Sequence, residues 1–297
     1  MAQKPDTEPK QPAAAAKSGG VKPDLATLAG IGLALAGILG GLLLEKGSIQ
    51  DVAQATAAMI VLGGTFGAVL VTTPLPVFLR ALKGMTNVFL ERANNASGTI
   101  ETLIQFATLA RKNGIVSLEA DAGKVADPFF RKALNLAVDG TDLNELRKMM
   151  EIDMELSEQA AEAEAKVWEA AGGYAPTIGI IGAVMGLIQV MKHLDDIKEV
   201  GHGIAVAFVA TVYGVGSANI LFLPSANKLR ARIHRARILK EMVLEGIIGI
   251  VEGLNPTLIR MKLNAFDVEP EPKKASKPGK ENKAAAAGAS QPAPAKG

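Results

Sequence analysis

The chain has 297 residues, 48% of them hydrophobic but only 4% aromatic, with 32 Lys and Arg against 30 Asp and Glu for a formal net charge of +2. Balanced charge leaves no bulk field to hold a polyanion, which disfavours general nucleic-acid binding, and the absence of cysteine excludes a disulfide framework, a thiolate metal site and a cysteine nucleophile. A mean hydropathy of +0.22, with the apolar residues gathered in blocks rather than spread at core periodicity, argues for a membrane protein over a pair of soluble domains.

Residues 1–24 are rich in Pro, Ala, Lys and Gln and carry no apolar core, so they are predicted as a disordered cytoplasmic tail and not as a cleavable signal peptide. Four runs free of Asp, Glu, Lys and Arg follow along the chain: Leu25 to Leu44, Val52 to Leu79, Ala170 to Met191 and Val200 to Asn227. Each is long enough for the roughly 20 residues that a helix needs to cross a hydrocarbon core of about 30 Å. The second and fourth exceed that length, so they are expected to tilt or to leave the bilayer near Pro74, Pro76 and Pro224. The fold class is therefore all-α: an integral membrane protein with transmembrane helices in 25–79 and 170–227, and a cytoplasmic helical domain, 80–169, inserted between the second and third spans.

Within the insert, Ser97 is placed to cap a helix carrying Ile100, Leu103, Ile104, Ala107 and Leu109, with Gly114 as its stop. A second helix begins at Asp142, with Glu145 completing a capping box, and passes through an acidic, Ala-rich stretch straight into the third span. No strand alternation is present. A C-terminal helix is expected over 228–266 and a disordered tail over 267–297. Orientation follows from the basic residues. The short connections Glu45 to Asp51 and Lys192 to Glu199 are poor in them, whereas Arg80, Lys83, Arg92 and the cluster from Lys228 to Arg237 flank the other ends. The positive-inside rule puts those ends, and both termini, in the cytoplasm.

No P-loop, dinucleotide fingerprint, zinc-protease motif or nucleophile elbow is present, and His193, His202 and His234 are too scattered for a metal cluster, so neither an enzyme nor a metal or cofactor is expected. The pairs Gly37 with Gly41, Gly63 with Gly67, and Gly182 with Gly186 let helices approach closely, and packing within one chain is favoured for each over an oligomer contact. Thr211, Ser217 and Asn219, with Tyr213 nearby, form a polar stripe that belongs against protein or a hydrated path. No span contains a carboxylate. If ions cross, a second polypeptide must supply one.

The segment from Tyr174 through Pro176, Gly179, Gly182 and Ala183 to Gly186, the segment from Ala205 through Thr211 to Gly214 with Pro224, and the stretch from Arg111 through Gly114 to Glu119 together resemble the MotA/TolQ/ExbB family, in particular its flagellar stator branch. The resemblance spans roughly residues 25 to 264. It implies a ring of subunits, taken as a homopentamer in the bacterial inner membrane, around a MotB-like single-span partner whose transmembrane Asp carries the ion. Ion flow then turns the ring against the rotor protein FliG. Carried over by position, Arg111 and Glu119 are the rotor-facing charges, Pro176 and Pro224 the coupling prolines, and Ala183 and Thr211 the ion-path lining. Sodium-driven relatives carry Thr where this chain has Ala183, so the implied ion is H+ rather than Na+. From the residues alone other readings stand open: Arg111 complementing a helix C-terminus, Glu119 an ordinary solvated charge, the prolines ending spans, Thr211 bonding a carbonyl of its own helix. Two alternative functions also remain: an ExbB/TolQ-like energiser, disfavoured by the extra hairpin of spans, and a non-conducting membrane scaffold.

Overall fold

The computed structural model describes residues 21–92 and 96–266, so most of the N-terminal tail and all of 267–297 lie outside the described residues. Helix α1, Leu25–Leu44, coincides with the first predicted span. It has no buried residue, as a helix exposed to acyl chains on most of its surface requires. A short helix, α2 (Ile49–Val52), is capped by Ser48 in a box closed by Asp51 and leads into α3, Ala55–Thr72. The second apolar run does not continue as one helix to Leu79. Thr73 is extended, as a residue before proline tends to be, and Pro74 starts a separate helix α4, Leu75–Gly84. A last short turn of helix, α5 (Thr86–Phe89), precedes a strand.

That strand, β2 (Leu90–Arg92), pairs antiparallel with β1 (Val21–Pro23), Val21 opposite Arg92 and Pro23 opposite Leu90. The expectation of a disordered chain through residue 24 is corrected here by this three-residue ladder, in a fold that is all-α as expected. The cause is Asp24. Its side chain accepts from the Thr27 amide at 3.0 Å to cap α1, its own amide donates to the Phe89 carbonyl at 2.8 Å, and its carboxylate pairs with Lys228 and with Arg232 at 3.1 Å. Only 6% of Asp24 is exposed. The Lys228 hydrogen bond, then the Thr27 amide, hold its carboxyl at about 2 against an ordinary 3.8. Arg232 also donates to the Leu90 and Val88 carbonyls, so one cationic pair fixes both strands and the foot of α1.

Beyond the strands, α6 spans Ala96–Asn113, which puts Ser97 inside the first turn instead of at the cap. Gly114 ends it with φ 85°, a backbone region that glycine adopts without strain. A 3-10 turn (Ile115–Leu118), α7 (Glu119–Ala122) and α8 (Pro128–Val138) follow. Asp142 then caps α9, accepting from the amides of Asn144 and Glu145. Helix α9 runs Leu143–Lys192 without a break, 50 residues or about 75 Å at a rise of about 1.5 Å each. After a short turn, α10 (Ile197–Gly216) passes through a π-helical segment, Ser217–Phe222, directly into α11 (Leu223–Val251), and α12 (Pro256–Asn264) closes the described chain.

Four helices among the described residues are long and apolar enough to cross a membrane. Outside them, Leu103, Leu118, Leu134, Leu146, Met150 and Ile247 centre an extramembrane core drawn from α6 to α9 and α11. A second cluster joins α3, α4, α9 and the π-helical segment, where Trp168 stacks on Phe222 at 6.0 Å. The acidic stretch of α9 does not simply face solvent: Arg230 binds Glu162 and Glu169, and Arg237 binds Glu158 and Glu241, which ties α9 to α11.

The closest helix contact is between α9 and α10. A Cβ added at Gly214 would stand 2.6 Å from the Ala175 carbonyl oxygen, and one at Gly186 would stand 2.8 Å from the Gly203 carbonyl oxygen. Gly182 likewise meets Ala210, so the packing expected for Gly182 and Gly186 is within the chain. Gly37, Gly41, Gly63 and Gly67 differ from that expectation: among the described residues, nothing beyond their own helix stands within 4 Å of a Cβ added at any of them. Gly214→Ala is predicted to cost about 1–3 kcal/mol, because a methyl group must push backbone away from backbone. The purified protein's thermal midpoint in detergent should fall for Gly214→Ala and stay unchanged for Gly37→Ala.

Candidate functional site

The glycine seam fixes how α9 and α10 present their side chains. The helices run antiparallel with Gly179 against Gly214, Gly182 against Ala210 and Gly186 against Ala207. One residue further along either helix is a rotation of about 100°, and in an antiparallel pair the two rotations turn to the same side. Ala183 and Thr211 therefore share one face of the hairpin. Ile180, Leu187, Phe208 and Val215 extend that face above and below them, and all four are exposed, Phe208 by 71%. Among the described residues, nothing covers this tall apolar face with one hydroxyl at its middle.

Thr211 Oγ1 donates to the Ala207 carbonyl at 3.1 Å, the hydrogen bond within its own helix that the sequence left open. Its lone pairs remain available, so the bond orients the hydroxyl as an acceptor toward the exposed face. The rest of the predicted polar stripe does not join it. Ser217 donates to the Gly214 carbonyl and Asn219 to the Val215 carbonyl, each satisfied by its own helix. Tyr213, two residues beyond Thr211, reaches instead to the junction of α2 and α3, where its hydroxyl donates to the Val52 carbonyl and accepts from the Gln54 amide at 3.3 Å. Gln54 makes no side-chain cap, and Tyr213 from another span satisfies the amide of this N-cap residue. No local sequence signal marks that partnership.

Pro176 lies inside α9 and Pro224 in the first turn of α11, immediately after the π-helical segment, so neither proline ends a helix. Pro176 offers no amide to the Gly172 carbonyl, and Gly172 packs directly on Leu223, the neighbour of Pro224. Pro224 thus stands beside the Gly172 contact, and Pro176 lies about one helical turn along α9 from it. Arg111 and Glu119 lie elsewhere, in the extramembrane region: Arg111 in the last turn of α6, Glu119 opening α7, both exposed and separated by the turn at Gly114. Neither forms an ion pair among the described residues. Val116, 64% exposed, sits between them. Among the described residues no group of His, Asp or Glu side chains is gathered to hold a metal ion.

Comparison with known proteins agrees along the chain. The motility protein A N-terminal family matches residues 28–114, and the MotA/TolQ/ExbB proton channel family matches residues 121–242. Motility protein A of Helicobacter pylori is 38% identical over 251 residues, covering 84% of this chain and 98% of the relative. The MotAB structure of C. jejuni superposes with a TM-score of 0.80 at 33% identity, over 86% of this chain and 99% of that one. The flagellar MotAB stator complex of Bacillus subtilis superposes with a TM-score of 0.75 at 33% identity, over 83% and 96%. With four apolar spans, an uncovered α9/α10 face and likeness over nearly the full length of those relatives, the chain belongs to the MotA/TolQ/ExbB proton channel family, in its motility protein A group.

Proposed function

We propose that the chain is a stator subunit of the bacterial flagellar motor, forming with a MotB-like single-span protein a channel whose ion flow is converted into torque. The observation that carries this reading is the uncovered face around Ala183 and Thr211: it is apolar enough to lie against a helix in the membrane, offers a hydroxyl at mid-height, and belongs to spans that contain no carboxylate. An Asp on the partner helix supplies the group that binds and releases the ion. Ala183, smaller and less polar than Thr, offers no second hydroxyl to a desolvated cation, which suits H+ better than Na+. Several copies, taken as five, surround the partner. Both termini and the region 80–169 face the cytoplasm of the cell, beneath the inner membrane, where Arg111 and Glu119 meet charges on the rotor protein FliG.

The protein expressed alone is predicted to conduct no protons. Cytoplasmic pH is followed under an imposed gradient with and without the partner; acidification by this chain alone would remove the two-component reading.

Reversal of either rotor-facing charge, Arg111→Glu or Glu119→Lys, should weaken torque severalfold while leaving assembly intact, since exposed ion pairs contribute only about 0–1 kcal/mol to stability. Opposite reversal on the rotor protein should partly restore swimming. Loss of the assembled complex in both variants would instead assign these residues to folding.

The prolines are coupling hinges in this reading. Each withdraws a backbone donor where a change on the path face can become helix movement. Pro176→Leu and Pro224→Leu should insert and assemble but lower single-motor torque far more than complex yield; normal torque would rule the hinge out.

A further inference from the structure

Helix α4 presents three distinct faces. Phe78 and Ala81 are buried, and Phe78 meets Phe66 edge-on at 6.2 Å, so this side is the attachment to the protein. Leu75, Leu79 and Leu82, spaced four and three residues apart, form a second side with 58%, 47% and 39% exposure among the described residues. Arg80 and Lys83 occupy the third. Arg80 approaches Glu164 at 3.5 Å but keeps 56% of its side chain exposed, and Lys83 is exposed with no ion pair among the described residues.

The bare leucines need an occupant, and two observations choose one. Helix α4 starts two residues after the membrane-spanning α3 ends, and the last turn of α3 exposes Leu70 and Val71 to the same surroundings, so the leucine face continues a surface already in contact with acyl chains. The cations beside it complement phosphate. An amphipathic helix of this kind lies in the interface, with apolar side chains among the acyl chains and long basic side chains reaching up to headgroups.

We propose that α4 is a lipid-docking helix that recognises anionic phospholipid, with Leu75, Leu79 and Leu82 in the acyl region and Arg80 and Lys83 on the headgroup phosphates. It follows from α3 being a span and holds whether or not the protein generates torque. Helix α4 also packs on the cluster containing Trp168 and Phe222, so headgroup binding braces the contact between α9 and the π-helical segment.

The test uses the full chain, which contains no cysteine and so accepts a single label. Nitroxide is attached at Leu79→Cys, Leu82→Cys and, for comparison, Val71→Cys and Asn87→Cys, in vesicles of phosphatidylethanolamine and phosphatidylglycerol. Labels at 79 and 82 should collide with oxygen in preference to a water-soluble nickel chelate, as at 71 and unlike 87. Native mass spectrometry of protein purified from the same vesicles should show retained phosphatidylglycerol falling roughly fivefold for Lys83→Gln and further for Arg80→Gln with Lys83→Gln, at unchanged phosphatidylethanolamine. Labels open to the chelate would overturn the proposal in favour of solvent, and labels shut to both probes would overturn it in favour of a protein partner. Equal phosphatidylglycerol retention in all variants would remove the headgroup recognition.

Discussion

The backbone-to-backbone contact of α9 with α10 is the constraint on which the membrane part depends. Lipid tails are as apolar as leucine, so helices in a bilayer gain little by hiding leucine from them, and close packing must hold the pair together. Glycines at 179, 186, 203 and 214 permit approach to carbonyl oxygens and Cα atoms that any side chain would prevent. The seam consumes one side of each helix and thereby decides what the neighbouring side shows. Ala183 and Thr211 are paired on the open face because they follow Gly182 and its partner Ala210.

Outside the bilayer the governing interactions change from close packing to charge and apolar burial. Helix α9 does not stop at the membrane surface; it carries its own register from the glycine seam into a core built on Leu146 and Met150. Arg230 and Arg237 of α11 grip four carboxylates, three of them along α9, and binding to Glu169 and Glu162 strengthens the proton affinity of Arg230 while lowering that of Glu169. These groups are partly exposed, so their worth lies in fixing the rotation of one helix against the other more than in stability.

What was legible in the sequence follows the range of each interaction. Helix α1 could be bounded to the residue because composition alone defines a span, and Gly114 because one residue's backbone freedom defines a stop. The ladder at Val21–Pro23 could not, since the residues that order it, Lys228 and Arg232, lie about two hundred positions away. An Asp directly before an apolar run is nonetheless an N-cap signal, and that local clue to Asp24 was present. The glycine pairs separate for the same reason. All show identical spacing, but only knowledge of the neighbouring helix distinguishes Gly182 and Gly186, packed on α10, from Gly37 and Gly63, which meet no other element among the described residues. For the candidate site, the residue types were visible and the shared face was not, because the face exists only once the seam fixes the antiparallel register.

The π-helical segment has the least local signature and bears most directly on how the site would act. A π turn widens the helix and interrupts its regular ladder, and here it ends at Phe222, one residue before Leu223 rests on Gly172. Across that contact Pro176 withholds the amide that would complete the ladder at Gly172, and beside it Pro224 withholds another. The two facing helices therefore meet by backbone contact at Gly179 and Gly214, and each lacks a ladder hydrogen bond on the Trp168 side of that contact. In the proposed reading, a displacement on the open face finds its outlet there, toward the extramembrane core, in a helix pair whose apolar runs contain no carboxylate of their own.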